Sequence, residues 1–264
     1  MAQVCLSIMW YKLRRLANTA LAGCAFMTAL PCFQIGVYLY FLFGRTTERK
    51  RMSLHRFLQR KTAWAARKMP ATDYVVDNPH GETFDKPAVI ICNHQSHLDL
   101  VYLLSLSPRL VVLTNDWVWR CPFYNILIHR AEFYPVSNGM ESNMPRLRSL
   151  VSRGYSIVVF PEGTRSQTHD ILRFHQGAFS LAAALGTDVL PLMLYGSGIL
   201  LPKHKHTLSP AHIRMTIGAR FRAGEPYRLQ AKKVREDYIR WYSDVCKTCD
   251  PLTEKKQREC GRKL

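Results

Sequence analysis

The sequence predicts an α/β fold, a mostly parallel sheet flanked by helices, preceded by an N-terminal hydrophobic membrane-associated helical segment. Three observations carry this expectation. From Tyr74 onward, short β-branched runs alternate with helix-length segments, the texture of strands joined by covering helices. Residues 17–44 form 28 consecutive positions without a charge, where roughly 20 suffice to cross a bilayer. The segment that follows, Arg45 to Lys68, holds nine Lys and Arg.

A chain of 264 residues accommodates one substantial α/β core with an appendage, and falls short of two full-sized domains. The expected division is residues 1–70 as membrane-associated helices, 71–250 as the α/β domain, and 251–264 as a polar, frayed tail.

Pro31, Gln34 and Gly36 interrupt the apolar run 17–44. A full span and a kinked helix, or two short helices dipping into one leaflet, therefore both remain open. Leu21-Ala22-Gly23-Cys24 resembles a lipoprotein cleavage box, but the run continues past Cys24, where a cleaved signal should stop. Across 45–69, Leu54, Phe57, Leu58, Ala65 and Met69 recur at helical spacings, which predicts a basic amphipathic helix. Its apolar stripe packs on the main domain, its cations meet anionic headgroups, or both. Positive charge beside the apolar run places the following domain on the cytoplasmic face.

The charge balance agrees. The chain carries 37 Lys and Arg against 19 Asp and Glu, a formal +18, which calls for a polyanionic partner. Residues 1–70 hold 12 of those cations and one acid, Glu48, so +11 of the +18 lies beside the apolar run. That distribution favours an anionic membrane surface over nucleic acid, for which no motif is present. The eight cysteines are scattered and read as thiols in a reducing compartment; Cys246-x-x-Cys249 without a second pair is thin support for a metal site. No metal or resident cofactor is expected.

Strands are predicted at Tyr74–Asp77, Ala88–Cys92, Leu110–Thr114, Phe133–Val136, Ile157–Phe160, Val189–Leu194 and Ile213–Ile217. Helices are predicted at Ser96–Leu106, Asp116–Arg130, Met144–Arg153, Gln176–Leu185 and Ala231–Cys246. Trp117, Trp119, Phe123 and Tyr124 share one of these helices, as core or as the lining of an acyl-chain groove.

Two clusters carry chemistry. Asn93-His94-Gln95-Ser96-His97-Leu98-Asp99 leaves the strand Ala88–Cys92, at the carboxyl edge where open α/β sheets bind ligands. Five residues on a continuous helix turn about 140°, so His94 must precede the helix if it is to meet Asp99. With Ser96 as N-cap, Asp99 reaches back to the imidazole, fixes its tautomer and leaves the other nitrogen as a general base for a hydroxyl. The competing reading of Ser96-x-x-Asp99 is a capping box, with Asp99 merely starting a helix. His97 and His129 read as structural.

The second cluster, Phe160-Pro161-Glu162-Gly163-Thr164-Arg165-Ser166, leaves another apolar strand. Gly163 lets backbone approach a phosphate, Thr164 adds a hydroxyl and Arg165 a bidentate fork; an ordinary charged turn is the alternative. Lys203-His204-Lys205-His206 reads as a solvated basic loop, with contact to an anionic carrier as its functional alternative.

Together, the His-x4-Asp block at 94–99, the intact Phe-Pro-Glu-Gly-Thr-Arg-Ser block at 160–166 and the Val-Leu-Pro-Leu segment at Pro191 resemble the 1-acylglycerol-3-phosphate acyltransferase family, the glycerolipid or lysophospholipid acyltransferases. The resemblance covers roughly Ala88 to Lys203. It implies His94 as catalytic base, Asp99 as its orienting partner, and Glu162 and Arg165 as acceptor-binding residues. It further implies a lysolipid acceptor and an acyl thioester donor, coenzyme A or acyl carrier protein, as co-substrate. The chain departs from the family at Asn138, near where an arginine helps hold the acceptor phosphate, and at His175-Gln176, where lysine is frequent. A neutral amide does not replace a guanidinium. Arg130, Arg165 or Arg173 then takes the load, or the acceptor is a lyso-aminolipid without a phosphate monoester. Backbone N–H groups near Gly163 are the expected oxyanion donors.

Overall fold

The computed structural model describes residues 2–70, 72–222 and 230–249. The expected tail 251–264 lies outside them. One seven-stranded sheet, in the order β1-β7-β6-β2-β5-β3-β4, forms the centre. Its strands are β1 (Thr72–Asp77), β2 (Ala88–Cys92), β3 (Leu110–Thr114), β4 (Tyr134–Pro135), β5 (Ser156–Val159), β6 (Asp188–Tyr195) and β7 (Ala211–Ile217). All pairings are parallel except β6 with β7. Central β2 and β6 are buried along their whole length, as parallel strands covered on both faces must be. The chain reverses after β6 through Gly196 at φ +89°, where a Cβ would stand 1.9 Å from the His212 carbonyl; only glycine fits that approach.

The helices are α1 (Ala2–Leu42), α2 (Glu48–Lys68), α3 (Asp99–Leu104), α4 (Asp116–Arg120), α5 (Asn125–Arg130), α6 (Met140–Ser152), α7 (Gly177–Leu185), α8 (Ser197–Leu200) and α9 (Ala231–Cys249). The helix expected at Met144–Arg153 begins earlier, at Met140, and α8 was not expected; two further departures have identifiable reasons. The helix expected over 116–130 breaks into α4 and α5 because Cys121, preceding Pro122, adopts an extended ψ of 120°, the steric consequence of the following ring. The helix expected from Ser96 starts at Asp99, with Leu98 at its N-cap and no side-chain cap. The six described cysteines form no disulfide.

α1 runs unbroken through Pro31 for 41 residues, about 60 Å at the usual rise. Leu16–Leu42 is apolar and long enough to cross a membrane, with mean hydropathy 1.6. Its carboxyl half is docked on the domain. Val37 and Phe41 are buried, and Gln34, an interruption in the sequence pattern, donates to Pro122 O and accepts from Leu127 N–H at 2.8 Å. Thr19 Oγ1 accepts the Leu208 N–H at 2.9 Å. Trp10, Leu13, Leu16 and Leu21 are exposed.

α2 starts at the amino edge of the parallel strands, capped by Thr47, and is locked there by charge. Arg153 donates to Glu48 at 2.6 Å and to Glu132 at 2.7 Å, Tyr155 donates to Glu48 at 2.8 Å, and Arg51 pairs with Glu132 at 3.4 Å. His55 is buried beside them, and burial pushes its imidazole down to about 4.

Candidate active site

The sheet register sets the site. Ile91 of β2 stands opposite Val159 of β5, so three residues further on, beyond both strand ends, His94 is level with Glu162. The segments join there: the His94 N–H donates to Glu162 Oε1 at 2.9 Å, and the Ser166 N–H donates to the His94 carbonyl at 2.9 Å.

The neighbours of His94 are each tied to a different wall. Asn93 adds a rung to the ladder on β6, donating to Leu194 O at 2.9 Å and accepting from Leu194 N–H at 2.8 Å. Gln95 donates to His169 O at 2.7 Å and accepts from the Tyr242 hydroxyl on α9 at 3.2 Å. Ser96 donates to Leu201 O at 2.8 Å. All three are buried, so hydrogen bonds rather than a helix hold this loop. Sequence reasoning passed over Asn93 and Gln95. Their polarity directly after an all-apolar strand was the available signal.

Asp99 occupies both positions left open by the sequence. Its Oδ2 accepts from the backbone N–H groups of Gln95 at 2.8 Å and Ser96 at 3.0 Å, and lies 2.7 Å from His94 Nδ1. Because Oδ2 is the acceptor throughout, Nδ1 carries the imidazole proton and Nε2 presents its lone pair. Asp99 is wholly buried while the His94 side chain is 19% exposed, so the pair is anchored from below and reachable from above. The imidazole stacks on Phe160 with ring centroids 4.0 Å apart. Beyond it, His97 meets the edge of exposed Trp117 at 6.0 Å, and Trp117 meets Tyr124 at 6.5 Å. Tyr124 with Met27, Leu30, Pro31, Cys121 and Phe123 lines an apolar cavity of about 140 Å³ against α1.

The second block turns sharply at Gly163, φ +67°, whose N–H donates to Phe160 O at 3.0 Å. That amide, expected among the oxyanion donors, is therefore committed to the turn. The amides of Thr164 and Arg165 carry no hydrogen bond among the described residues. The Arg165 guanidinium has no carboxylate partner among them either. Burial lowers its pKa while the field of Asp99 opposes that.

Of two expected acceptor-binding residues, one lies in the site with its oxygens already engaged and the other lies away from it. Glu162 is buried, its Oε1 on His94 N–H and its Oε2 on Leu172 N–H at 3.1 Å. Both oxygens serve the backbone, and burial pushes this carboxyl up to about 7 against the pull of those two donors. Arg130 ends α5 at the opposite, amino edge of the sheet, over the Phe41 ring at 5.1 Å and 3.5 Å from Thr46 Oγ1. A helix that returns from the carboxyl edge to start β4 can only deliver its last residue there. Among the described residues, no group of three or more His, Cys, Asp or Glu side chains is arranged to hold a metal ion.

Residues 66–195, which contain both blocks, match the family described as Acyltransferase. This segment is an acyltransferase-family domain. It is 33% identical over 122 residues to a chloroplastic 1-acyl-sn-glycerol-3-phosphate acyltransferase of Arabidopsis thaliana, covering 45% of this chain and 34% of that protein. A 1-acyl-sn-glycerol-3-phosphate acyltransferase of Chlamydomonas reinhardtii is 30% identical over 142 residues, with 50% and 42% covered. One of Borreliella burgdorferi is 30% identical over 114 residues, with 41% and 46% covered. The chain thus spans less than half the length of these curated relatives. The crystal structure of the 1-acyl-sn-glycerophosphate acyltransferase PlsC from Thermotoga maritima shares the fold, with TM-score 0.71 at 22% identity over 89% of this chain and 98% of that one. His94, Asp99, Glu162 and Arg165 all fall inside the matched acyltransferase segment, and Lys203 falls outside it.

Proposed function

We propose that this chain is an O-acyltransferase that moves a fatty acyl group from a thioester carrier to the free hydroxyl of a lysolipid, 1-acylglycerol-3-phosphate first among acceptors. The observation that carries this reading is the 2.7 Å contact of His94 Nδ1 with buried Asp99, which leaves Nε2 of this partly exposed side chain without a partner among the described residues. Nε2 takes the acceptor hydroxyl proton as the oxygen attacks the thioester carbonyl, and Asp99 stabilises the imidazolium that results. The oxyanion of the tetrahedral intermediate meets the uncommitted amides of Thr164 and Arg165. Collapse breaks the carbon–sulfur bond, and the imidazolium returns its proton to the leaving thiolate. Glu162 acts as a positioning residue that fixes the His94 backbone. The donor is an acyl-coenzyme A or acyl carrier protein thioester, and α1 with the basic face of α2 holds the domain at an anionic membrane surface, on its cytoplasmic side.

Asn138, near where the family has an arginine, favours a second reading in which the acceptor is a lyso-aminolipid. Purified protein given labelled palmitoyl thioester with lysophosphatidate or with a lyso-aminolipid separates the two. Diacylated phospholipid supports the first reading and diacylated aminolipid alone the second. His94→Ala is expected to abolish either product, and full activity in that variant overturns the mechanism.

A further inference from the structure

Of the positions expected to help Arg165 hold a phosphate monoester, 138 is Asn, Arg130 stands at the far edge of the sheet, and Arg173 is exposed just after Leu172. The structure brings a different cation to Arg165 from beyond the family match. Leu201 ends the short helix after β6 and receives the hydrogen bond of Ser96, which carries the chain directly past the site. Two residues later, Lys203 Nζ donates to Thr164 Oγ1 at 3.2 Å and to the Arg165 carbonyl at 3.1 Å.

Both partners of Lys203 are neutral, so its charge is left uncompensated. Among the described residues no carboxylate pairs with Lys203 or with Arg165. Some other cations of the domain are paired, Lys86 with Asp188, Arg214 with Asp77 and Arg220 with Glu82, while Arg146, Arg148 and Arg173 likewise have no carboxylate partner among the described residues. Lys203 reaches the Arg165 loop from a separate loop, and an anion bound there gains the attraction of both charges. An ammonium has three N–H donors and Lys203 spends two here; the guanidinium fork of Arg165 remains open. Arg165 adjoins Ser166, whose N–H is bonded to the His94 carbonyl, so a phosphate held there lies next to the proposed base.

We propose that Lys203 and Arg165 together form an anion subsite that takes a phosphate group, carried by the acceptor headgroup or by the thioester carrier. The proposal rests on the acyl-transfer reading and names the residue that restores its missing charge. The exposed His204, Lys205 and His206 extend the same basic surface outward.

Equilibrium titration of the detergent-purified chain tests it without requiring turnover. The probes are short-chain lysophosphatidate, the matching monoacylglycerol and palmitoyl-coenzyme A, each against wild type, Lys203→Gln and Lys203→Arg, with thermal melting to confirm folding. Lys203→Gln is expected to weaken lysophosphatidate about tenfold or more, as for loss of a charge-assisted contact, to leave monoacylglycerol unchanged, and to be largely rescued by Lys203→Arg. The same loss confined to palmitoyl-coenzyme A assigns the phosphate to the carrier. Unchanged affinity for both phosphate-bearing probes in a folded Lys203→Gln overturns the subsite. Wild type that binds lysophosphatidate through Lys203 yet transfers no acyl group overturns the transfer reading instead.

Discussion

The two edges of the sheet handle charge in opposite ways. At the amino edge Arg153 bridges Glu48 and Glu132, with Arg51 and Tyr155 completing the network. At the carboxyl edge Arg165 and Lys203 have no carboxylate partner among the described residues, and the two buried acids beside His94 are already engaged, Asp99 on the imidazole and backbone and Glu162 on backbone alone. Charge satisfied from within holds elements together, and charge left open within a fixed frame is available to a ligand. The lesson is that the count of cations near a motif says less than where their counter-charges lie.

The sharpest way to break this contrast is at Asp99. Asp99→Asn keeps the shape but offers Nδ1 a neutral amide, and kcat is expected to fall about 10³-fold or more while the fold persists. Steady-state rates with the preferred acceptor measure this, and retention of more than a tenth of the rate removes the charge argument. At the other edge Arg153→Ala should do the reverse. Leaving Glu132 with only the longer Arg51 contact and Glu48 with only the Tyr155 hydroxyl is expected to cost about 2 kcal/mol of stability in denaturant melts, with kcat of the folded enzyme within about twofold.

The pH dependence of stability should also have opposite slopes at the two edges. Glu162 is raised from 4.5 to about 7 by burial. The native state keeps a proton there that the unfolded chain has released, so this group lowers stability as pH rises through that window. His55, lowered from 6.5 to about 4 by burial, removes stability as pH falls through its own window. Subtracting the melting profile of Glu162→Gln from that of wild type should isolate a term of up to about 3 kcal/mol with the first sign. A flat difference would mean that Glu162 is ionised as easily in the fold as outside it. The smallest effect is expected for Arg130→Ala: less than about twofold in KM for either substrate and under about 1 kcal/mol in stability, a surface contact only. A large rise in KM would return Arg130 to the site.

Much of this was legible in the sequence. The strand cores and their parallel arrangement followed from β-branched runs between helix-length segments, and both site blocks lay just after apolar strands. What stayed hidden depended on contacts distant along the chain. The helix break at Cys121 was foreshadowed by Pro122, but helical spacing on either side masked it. Glu162 looked like a ligand-binding acid because a motif shows its side-chain type and not its direction; only the β2–β5 register aims it at the His94 backbone. Lys203 resembled ordinary solvated charge, and its neighbour Thr164 lies 39 positions away.

Asn93 has a consequence at the level of the gene. Its side chain needs a carbonyl and an amide N–H at one fixed length to pair with both backbone groups of Leu194. A single base change in an asparagine codon yields Asp, His, Ile, Lys, Ser, Thr or Tyr, none of which carries that pair of groups. Every one-step mutational neighbour therefore opens the rung beside His94, and drift at this codon is closed off by hydrogen-bond chemistry alone.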